Sequence, residues 1–439
     1  MIVSIPRRLL PLALLSLLLV LILAFRHFKP ANPWSSLPLE KIGLGEVLEH
    51  EGVTIITPGE NSPFAEAARP SAAIVNSATS TPNIELGKQP DTTKFKPGKV
   101  KPAGSNYTKM LVTPRTKKEK DMTKWIPETF PPGSGVNISM YVADDPWAPL
   151  HPPKNKGHEV MIYLTYIIDH YDSLADVNIF MHSHQFAWHN DDLLDQNSAL
   201  MIQRLSSERV QREGYVNLRC HWHPGCPDWM HPGATEVDIN KQEEVLLAKS
   251  WSELFPMDEI PDVLAQPCCA QFAISKDRIR QLPLSRYVFF RDWLLRTPLS
   301  DALSGRVWEY VWHYLFTGQN VVCPKEHICY CDGFGVCFGG QKQYDEYWGA
   351  VNEMNHLKDK LVEWKKQDNK IKEMEAKGQI QEGVEIDIPE YGLDEEMEKK
   401  VGELEEWTKS TKQQAFQNGD DPEFRAIECG RTWKEGDGF

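Results

Sequence analysis

The sequence carries no excess of basic residues: 48 Lys and Arg stand against 62 Asp and Glu, a formal net charge of -14. A chain that binds nucleic acid by neutralising phosphates leans the other way, so nucleic acid is not an expected partner. No two cysteines have the C-x2-C spacing of a zinc ribbon, no Asp-x-Asp triplet occurs, and no internal repeat is visible. The missing repeat sets aside solenoids and propellers. Cysteine itself is sparse, nine in 439 residues, but eight of the nine fall between Cys220 and Cys337, leaving Cys429 alone in the tail. What is abundant is apolar surface: 41% hydrophobic residues, 10% aromatic, fourteen of them Trp. That supply offsets chain entropy and excludes a wholly disordered or fibrous protein. The length fits one core with appendages, or two to three domains.

Leu9–Phe25 is a run of 17 uncharged residues, broken in pattern only by Pro11 and Ser16. At a helical rise of ~1.5 Å per residue it reaches roughly 25 Å, enough for a thin early-secretory bilayer. The residues after it, Phe25-Arg26-His27-Phe28, lack the small side chains of a signal-peptidase site. A signal-anchor is expected: residues 1–8 cytosolic, 9–25 transmembrane, the rest luminal, in the single-pass type II sense, in a Golgi or ER membrane. Two N-glycan acceptor triplets, at Asn106 and Asn137, agree with a luminal body. In an oxidising lumen the eight clustered cysteines, Cys220, Cys226, Cys268, Cys269, Cys323, Cys329, Cys331 and Cys337, read as a disulfide framework of undetermined pairing, in which the adjacent Cys268 and Cys269 are expected to reach different partners.

Pro30–Pro102 holds ten prolines among Ala, Ser and Thr and shows no sustained period, so residues 26–135 are expected to form a flexible stem, with order starting near Val136. Strands are expected at Val136–Val142, Val177–Met181 and Tyr215–Leu218. Helices are expected from about His158 to Tyr171, over Leu200–Val210, after Arg278, and as one strong helix from Gly305 to Phe316. Short strands alternating with helices over residues 136–340 predict an α/β layered domain. From Val351 onward, 14 Lys and Arg face 23 Asp and Glu, a balance of -9, so most of the charge belongs to the tail. Residues 341–439 are expected to be an acidic helical tail, broken over Gly378–Gly392 and disordered in its last twenty residues.

Four constellations bear on chemistry. Asp144 and Asp145 end a predicted strand, where carboxylates hold a ribose or a metal in open α/β sheets, although Asp-Asp-Pro also makes a plain turn. Asn155, Lys156, Gly157 and Glu159 open a predicted helix, whose free N–H groups suit a phosphate; Asn155 as a simple N-cap is the alternative. His182 and His184 lie two residues apart on one strand face and, with Trp188, His189 and Asn190 close behind, suggest a metal or diphosphate. On the predicted Gly305–Phe316 helix, Arg306, Glu309 and His313 share a polar strip between two apolar ones. Glu309 is the expected general base there, or else a structural partner of Arg306.

These segments together resemble a largely fungal family, domain of unknown function 3431. The resemblance rests on Tyr141–Asp145, Asn155–Glu159, Phe180–His184 with Trp188–Asn190, Pro267–Phe272, Ser304–Tyr310 and Cys329–Gly333, in that order over residues 136–340. The Asn155-x-Gly157-x-Glu159 helix start followed by a strand ending in His is also similar to the Asn-x-Gly-Arg-Asp region of rhamnan-type glycosyltransferases of the nucleotide-sugar A fold. Here His158 and Glu159 stand where that pattern has Arg and Asp, and His182-x-His184 stands near the place of its Asp-x-Asp. The second resemblance implies a glycosyltransferase A-like layered domain with a disulfide-rich C-terminal part, a nucleotide sugar as donor, a divalent metal (Mn or Mg), and a glycan or glycoprotein acceptor. In that reading Asp144 and Asp145 meet the nucleotide, Lys156 the diphosphate, and Glu309 the acceptor hydroxyl. The alternatives are a non-catalytic luminal glycan-binding or assembly protein, and a metal-dependent hydrolase built on the His-rich segments.

Overall fold

The computed structural model describes residues 95–102, 104–378 and 390–435. The Leu9–Phe25 run and most of the expected stem lie outside the described residues. Among the described residues no helix is long and apolar enough to cross a membrane.

Five strands form one sheet: β1 (Lys109–Arg115), β2 (Val136–Val142), β3 (Val177–Phe180), β4 (Tyr215–Asn217) and β5 (Phe272–Ser275), in the order β2-β1-β3-β5-β4. β1 pairs in parallel with β2, from Lys109↔Val136 to Arg115↔Val142, and with β3, from Lys109↔Val177 to Val112↔Phe180. β5 runs antiparallel to both β3 and β4. Four strands therefore point one way and end at one edge, where β5 begins. The sheet starts 27 residues before the expected onset of order at Val136, so the stem's end at residue 135 is corrected. Lys109 and Pro114 hide β1 in the sequence, yet Leu111 and Val112 are fully buried on its two faces. Pro114 is tolerated because pairing with β3 has already stopped at Val112.

Helices cover both faces. In chain order they are α1 (Trp125–Thr129), α2 (Glu159–Asp169), α3 (Ser198–Arg204), α4 (Ser207–Glu213), α5 (Glu244–Leu254), α6 (Lys276–Arg280), α7 (Leu284–Arg296), α8 (Asp301–Glu309), α9 (Trp312–Thr317), α10 (Glu326–Phe334), α11 (Gln341–Ala376), α12 (Leu393–Asp420) and α13 (Pro422–Glu428). One core packs Val112, Phe180 and Phe272 against α2, α5, α7, α8 and α9. The other packs Leu111, Ile179 and Ala273 against α1, α3, α10 and the start of α11. α2 is buried on nearly every side, from Val160 to Ile167, because neighbouring helices cover what the sheet does not. The chain passes from β1 to β2 over one face through α1 and returns across β1 to β3 over the other through α2. The winding changes sense between β1 and β3, which is where open α/β sheets hold ligands.

Two expected helices are divided. The Leu200–Val210 stretch is α3 and α4, parted where Ser206 caps α4 by accepting the Arg209 N–H. The single helix expected over Gly305–Phe316 is α8 and α9, because Tyr310 (φ -92°, ψ 2°) leaves helical geometry and Val311 starts the second helix as its N-cap. The common strip of Arg306, Glu309 and His313 is corrected with it.

All eight clustered cysteines are bonded: Cys220–Cys329, Cys226–Cys323, Cys331–Cys337 and, contrary to expectation, Cys268–Cys269 with each other. Positive φ at Cys269 (+93°) and Ala270 (+47°) turns the backbone so that neighbouring sulfurs can meet. Burial pushes the remaining thiol, Cys429, up to about 12. The expectation of a disordered end is corrected over its described residues, up to 435. α13 is helical, and Arg431 donates to Asp332 of α10 at 2.6 Å, as does Arg212 of α4. Arg209 adds a third guanidinium, 3.8 Å away. One buried carboxylate thus ties the end of the chain to the head. Asp332→Ala leaves Arg209 buried without its countercharge, a loss on the order of 3 kcal/mol. Urea unfolding is the check: an unchanged midpoint would contradict this role for Asp332.

Candidate functional site

The carboxyl edge of the sheet collects most of the chemistry-bearing residues. Beyond β1, Glu119 Oε2 accepts the Thr116 N–H at 2.6 Å, and Glu119 Oε1 lies 4.0 Å from His184 Nε2. Beyond β3, His182 Nε2 lies 3.9 Å from Glu159 Oε2 at the start of α2. Two His–carboxylate pairs therefore flank the point where the winding reverses. Asp144 and Asp145 reach the same edge but serve turns. Asp144 accepts the Lys117 N–H at 2.8 Å, and Asp145 accepts the Trp147 N–H at 3.1 Å while lying 3.4 Å from the Lys117 ammonium.

The phosphate cradle expected at Asn155–Gly157 is filled from within. Asp301 Oδ1 accepts the N–H groups of Gly157 (2.5 Å) and His158 (3.2 Å), while the Lys156 ammonium donates to the Thr297 carbonyl at 2.5 Å. The exposed N–H groups that would have drawn a phosphate have drawn a neighbouring carboxylate instead. Asn155 does not cap α2; His158 holds that position, with no side-chain bond. Gly157 is required here for its φ of +72°, and a Cβ would also press on the methyl groups of Leu294.

The centre is a set of buried proton carriers. Glu159 keeps 14% side-chain exposure, and burial, reinforced by the charges of Glu309 and Asp301, raises its acid to about 8. His182 Nδ1 meets His189 Nε2 at 3.3 Å. Gln271 ties the two residues together: its Oε1 accepts the His182 backbone N–H at 3.2 Å, and its Nε2 lies 3.1 Å from the His189 ring Nδ1 and donates to Asn190 Oδ1 at 3.1 Å. Burial keeps His182 well below the ordinary imidazole range and His189 at about 4, the latter aided by the Arg219 charge. Both rings are neutral at pH 7. Trp188 and Asn190 support this loop. The Trp188 carbonyl accepts from Arg219 at 3.2 Å, and Asn190 donates to the Gln196 carbonyl and Ser198 Oγ.

Of the three residues expected on the α8 strip, Glu309 alone belongs to this centre. Its carboxylate accepts the Cys269 N–H, and burial raises its acid against the opposing pull of Arg306. Arg306 is paired elsewhere, at 2.9 Å with Glu243, whose side chain is 1% exposed. His313 is sealed in the core with Nε2 on the Asn320 carbonyl at 2.9 Å, and burial lowers it to about 4. Glu119, Glu243, Gln271 and Asp301 escaped sequence reasoning. Gln271 follows the unusual Cys-Cys pair, the one local signal among the four.

His182 and His184, expected as metal ligands, each face a carboxylate and together offer a mixed nitrogen and oxygen donor set. Among the described residues the one group of three His, Cys, Asp or Glu ligand atoms within 4.8 Å of one another is Cys331, Cys337 and Glu428, and its two sulfurs are bonded to each other. Cys220 and Cys226 are likewise bonded, to Cys329 and Cys323, so neither sulfur is left to bind a metal.

Residues 111–332, about half of the chain, match the family model described as Protein of unknown function (DUF3431). The chain belongs to this family. Its match begins within β1 and ends within α10, so it takes in the carboxyl ends of β1 to β4, the start of β5 and every residue of the proton-carrying centre. No curated protein and no solved structure matches the chain.

The raised acid of Glu159 has a signed consequence. Between about pH 5 and about pH 8 the folded protein holds a proton there that the unfolded chain has released, so this group's stabilisation falls as pH rises through that window. Glu159→Gln removes the dependence and gains on the order of 3 kcal/mol relative to wild type at the alkaline end. Denaturation midpoints of both proteins across the window provide the check. Parallel profiles would contradict the assignment.

Proposed function

We propose that the chain is a glycosyltransferase-like enzyme with a nucleotide-sugar A-type layered domain, moving a sugar from a nucleotide-sugar donor to a glycan or glycoprotein acceptor. The observation that carries the reading is the His182–Glu159 pair at the carboxyl edge, where the winding reverses, with Glu309 within electrostatic reach of Glu159. Glu309 as carboxylate takes the acceptor hydroxyl proton while the new glycosidic bond forms and the donor's sugar–phosphate bond breaks. Glu159, neutral below about pH 8, does not repel the departing diphosphate. The donor phosphates belong between the ends of β1 and β3, beside the His182–Glu159 and His184–Glu119 pairs, and not on Lys156. A divalent ion that neutralised the leaving group would be held by His182, His184 and Glu119, since a protonated Glu159 is no ligand, and this mixed donor set suits Mn better than Mg.

The compartment follows the same reading. Four disulfides support an oxidising lumen. Asn106 and Asn137 are both exposed and open to glycans. With Leu9–Phe25 as anchor, this is a type II Golgi or ER protein.

One observation favours the non-catalytic alternative, a glycan-binding protein. Trp147 is 91% exposed and Phe186 63% exposed, on the loops after β2 and β3 at the same edge. Open aromatic faces suit sugar stacking with or without turnover.

The test is a nucleotide-sugar panel on the full chain, with and without Mn or Mg, for wild type and Glu309→Gln. Turnover in the variant should drop ~10²-fold while its melting temperature holds. Unchanged turnover would remove Glu309 from the reaction. Glycan binding without transfer by the wild type would support the binding protein instead.

A further inference from the structure

The Cys268–Cys269 bridge differs from the other three in what it can do for the fold. Cys220–Cys329 and Cys226–Cys323 close loops spanning 109 and 97 residues, whereas this one spans a single residue. Loop-closure stabilisation grows with loop length, so a one-residue bridge adds almost nothing to global stability. Its effect is confined to the shape of its own segment.

That segment, Gln266–Gln271, joins the two halves of the site. At one end Gln266 Nε2 donates to the Glu309 carbonyl at 2.9 Å, and the Cys269 N–H donates to the Glu309 carboxylate. At the other end Gln271 holds His182 and His189. Between them, consecutive positive φ at Cys269 and Ala270 is a conformation that side-chain-bearing residues rarely hold unaided. The flanks are fixed independently: Asn217 Nδ2 donates to the Pro267 carbonyl at 2.6 Å, and Gly225 packs so closely on the Gln266 carbonyl that a Cβ would overlap it. Cys269 is partly exposed and Cys268 is 7% exposed, so the pair meets solvent on the Cys269 side.

We propose that the Cys268–Cys269 disulfide is a redox-operated clip that sets Glu309 against the His182–His189 pair, closed when oxidised and slack when reduced. A dithiol reductant opens it in two steps. A reductant thiolate attacks Cys269 Sγ, forming a mixed disulfide and releasing Cys268 as a thiolate that takes up a proton. The second reductant thiol then displaces Cys269, leaving two protein thiols and one oxidised, cyclic reductant. With the bridge gone, Cys269 and Ala270 relax toward ordinary backbone angles and the Cys269 N–H leaves Glu309. The effect on turnover rests on the glycosyl-transfer reading; the clip does not.

The experiment exposes the native full chain to dithiothreitol, alkylates free thiols for mass spectrometry, and follows amide exchange at Cys269 together with the melting temperature. Cys268→Ser/Cys269→Ser and Cys220→Ser/Cys329→Ser variants run in parallel. Reduction should label Cys268 and Cys269, speed Cys269 exchange ~10-fold or more, shift melting by no more than about 3 °C, and reverse on reoxidation. The Cys268→Ser/Cys269→Ser variant should match the reduced protein and show no further exchange response at residues 266–271. Unchanged exchange after proven reduction of this pair would overturn the clip. So would a melting loss as large as that of Cys220→Ser/Cys329→Ser, or failure of Cys268→Ser/Cys269→Ser to fold. Where the clip responds but the nucleotide-sugar panel is silent, the proposal stands and the transfer reading falls.

Discussion

Everything at the candidate site depends on β1 being paired on both sides. Its parallel registers with β2 and β3 put three chain ends at one edge, and β5 joins from the opposite direction, bringing Cys269 and Gln271 to the same place. Because β1 is buried on both faces by two separate cores, its position is fixed from above and below. Residues far apart in sequence, Glu119, Glu159, His182, Gln271 and Glu309, are neighbours only because of that alignment.

The electrostatic character of the edge follows from how its charges are already matched. Arg306 is held by Glu243, Lys156 by the Thr297 carbonyl, and Asp301 by the α2 N-terminus. Three of the groups at the cleft are neutral at pH 7: a protonated Glu159 and the His182 and His189 imidazoles, kept uncharged by burial. A site of neutral donors and acceptors beside the Glu119 and Glu309 carboxyl groups is suited to handling protons on hydroxyls. It is poorly suited to capturing a polyanion by charge alone, unless an ion accompanies it.

The elements with regular apolar periods were legible in the sequence. β2 spans the expected Val136–Val142, and α2 and β3 lie within two residues of their expected ends. β1 was not legible, since a seven-residue strand opening on Lys109 and carrying Pro114 looks like linker until its two partners are known. The phosphate cradle failed for a related reason. Nothing local to Asn155–Gly157 announces that Asp301, 144 residues away from Gly157, fills it. His182, His189 and Glu309 could be singled out because their residue types are unusual where they stand, whereas their partners Glu119, Gln271 and Glu243 are set by tertiary contact. The vicinal bridge was visible as two adjacent cysteines, but choosing between separate partners and each other required the backbone angles at Cys269 and Ala270.

The central claim is that Glu159 carries a proton at neutral pH within a cleft facing His182 and Glu309. Infrared difference spectroscopy of the folded chain, with Glu159→Gln as reference, reads that proton directly. The account predicts a protonated-carboxyl band that is present at pH 7, fades through about pH 8 and is missing from the variant. A Glu159 carboxyl that is already ionised near pH 5, the ordinary range for glutamate, would contradict it.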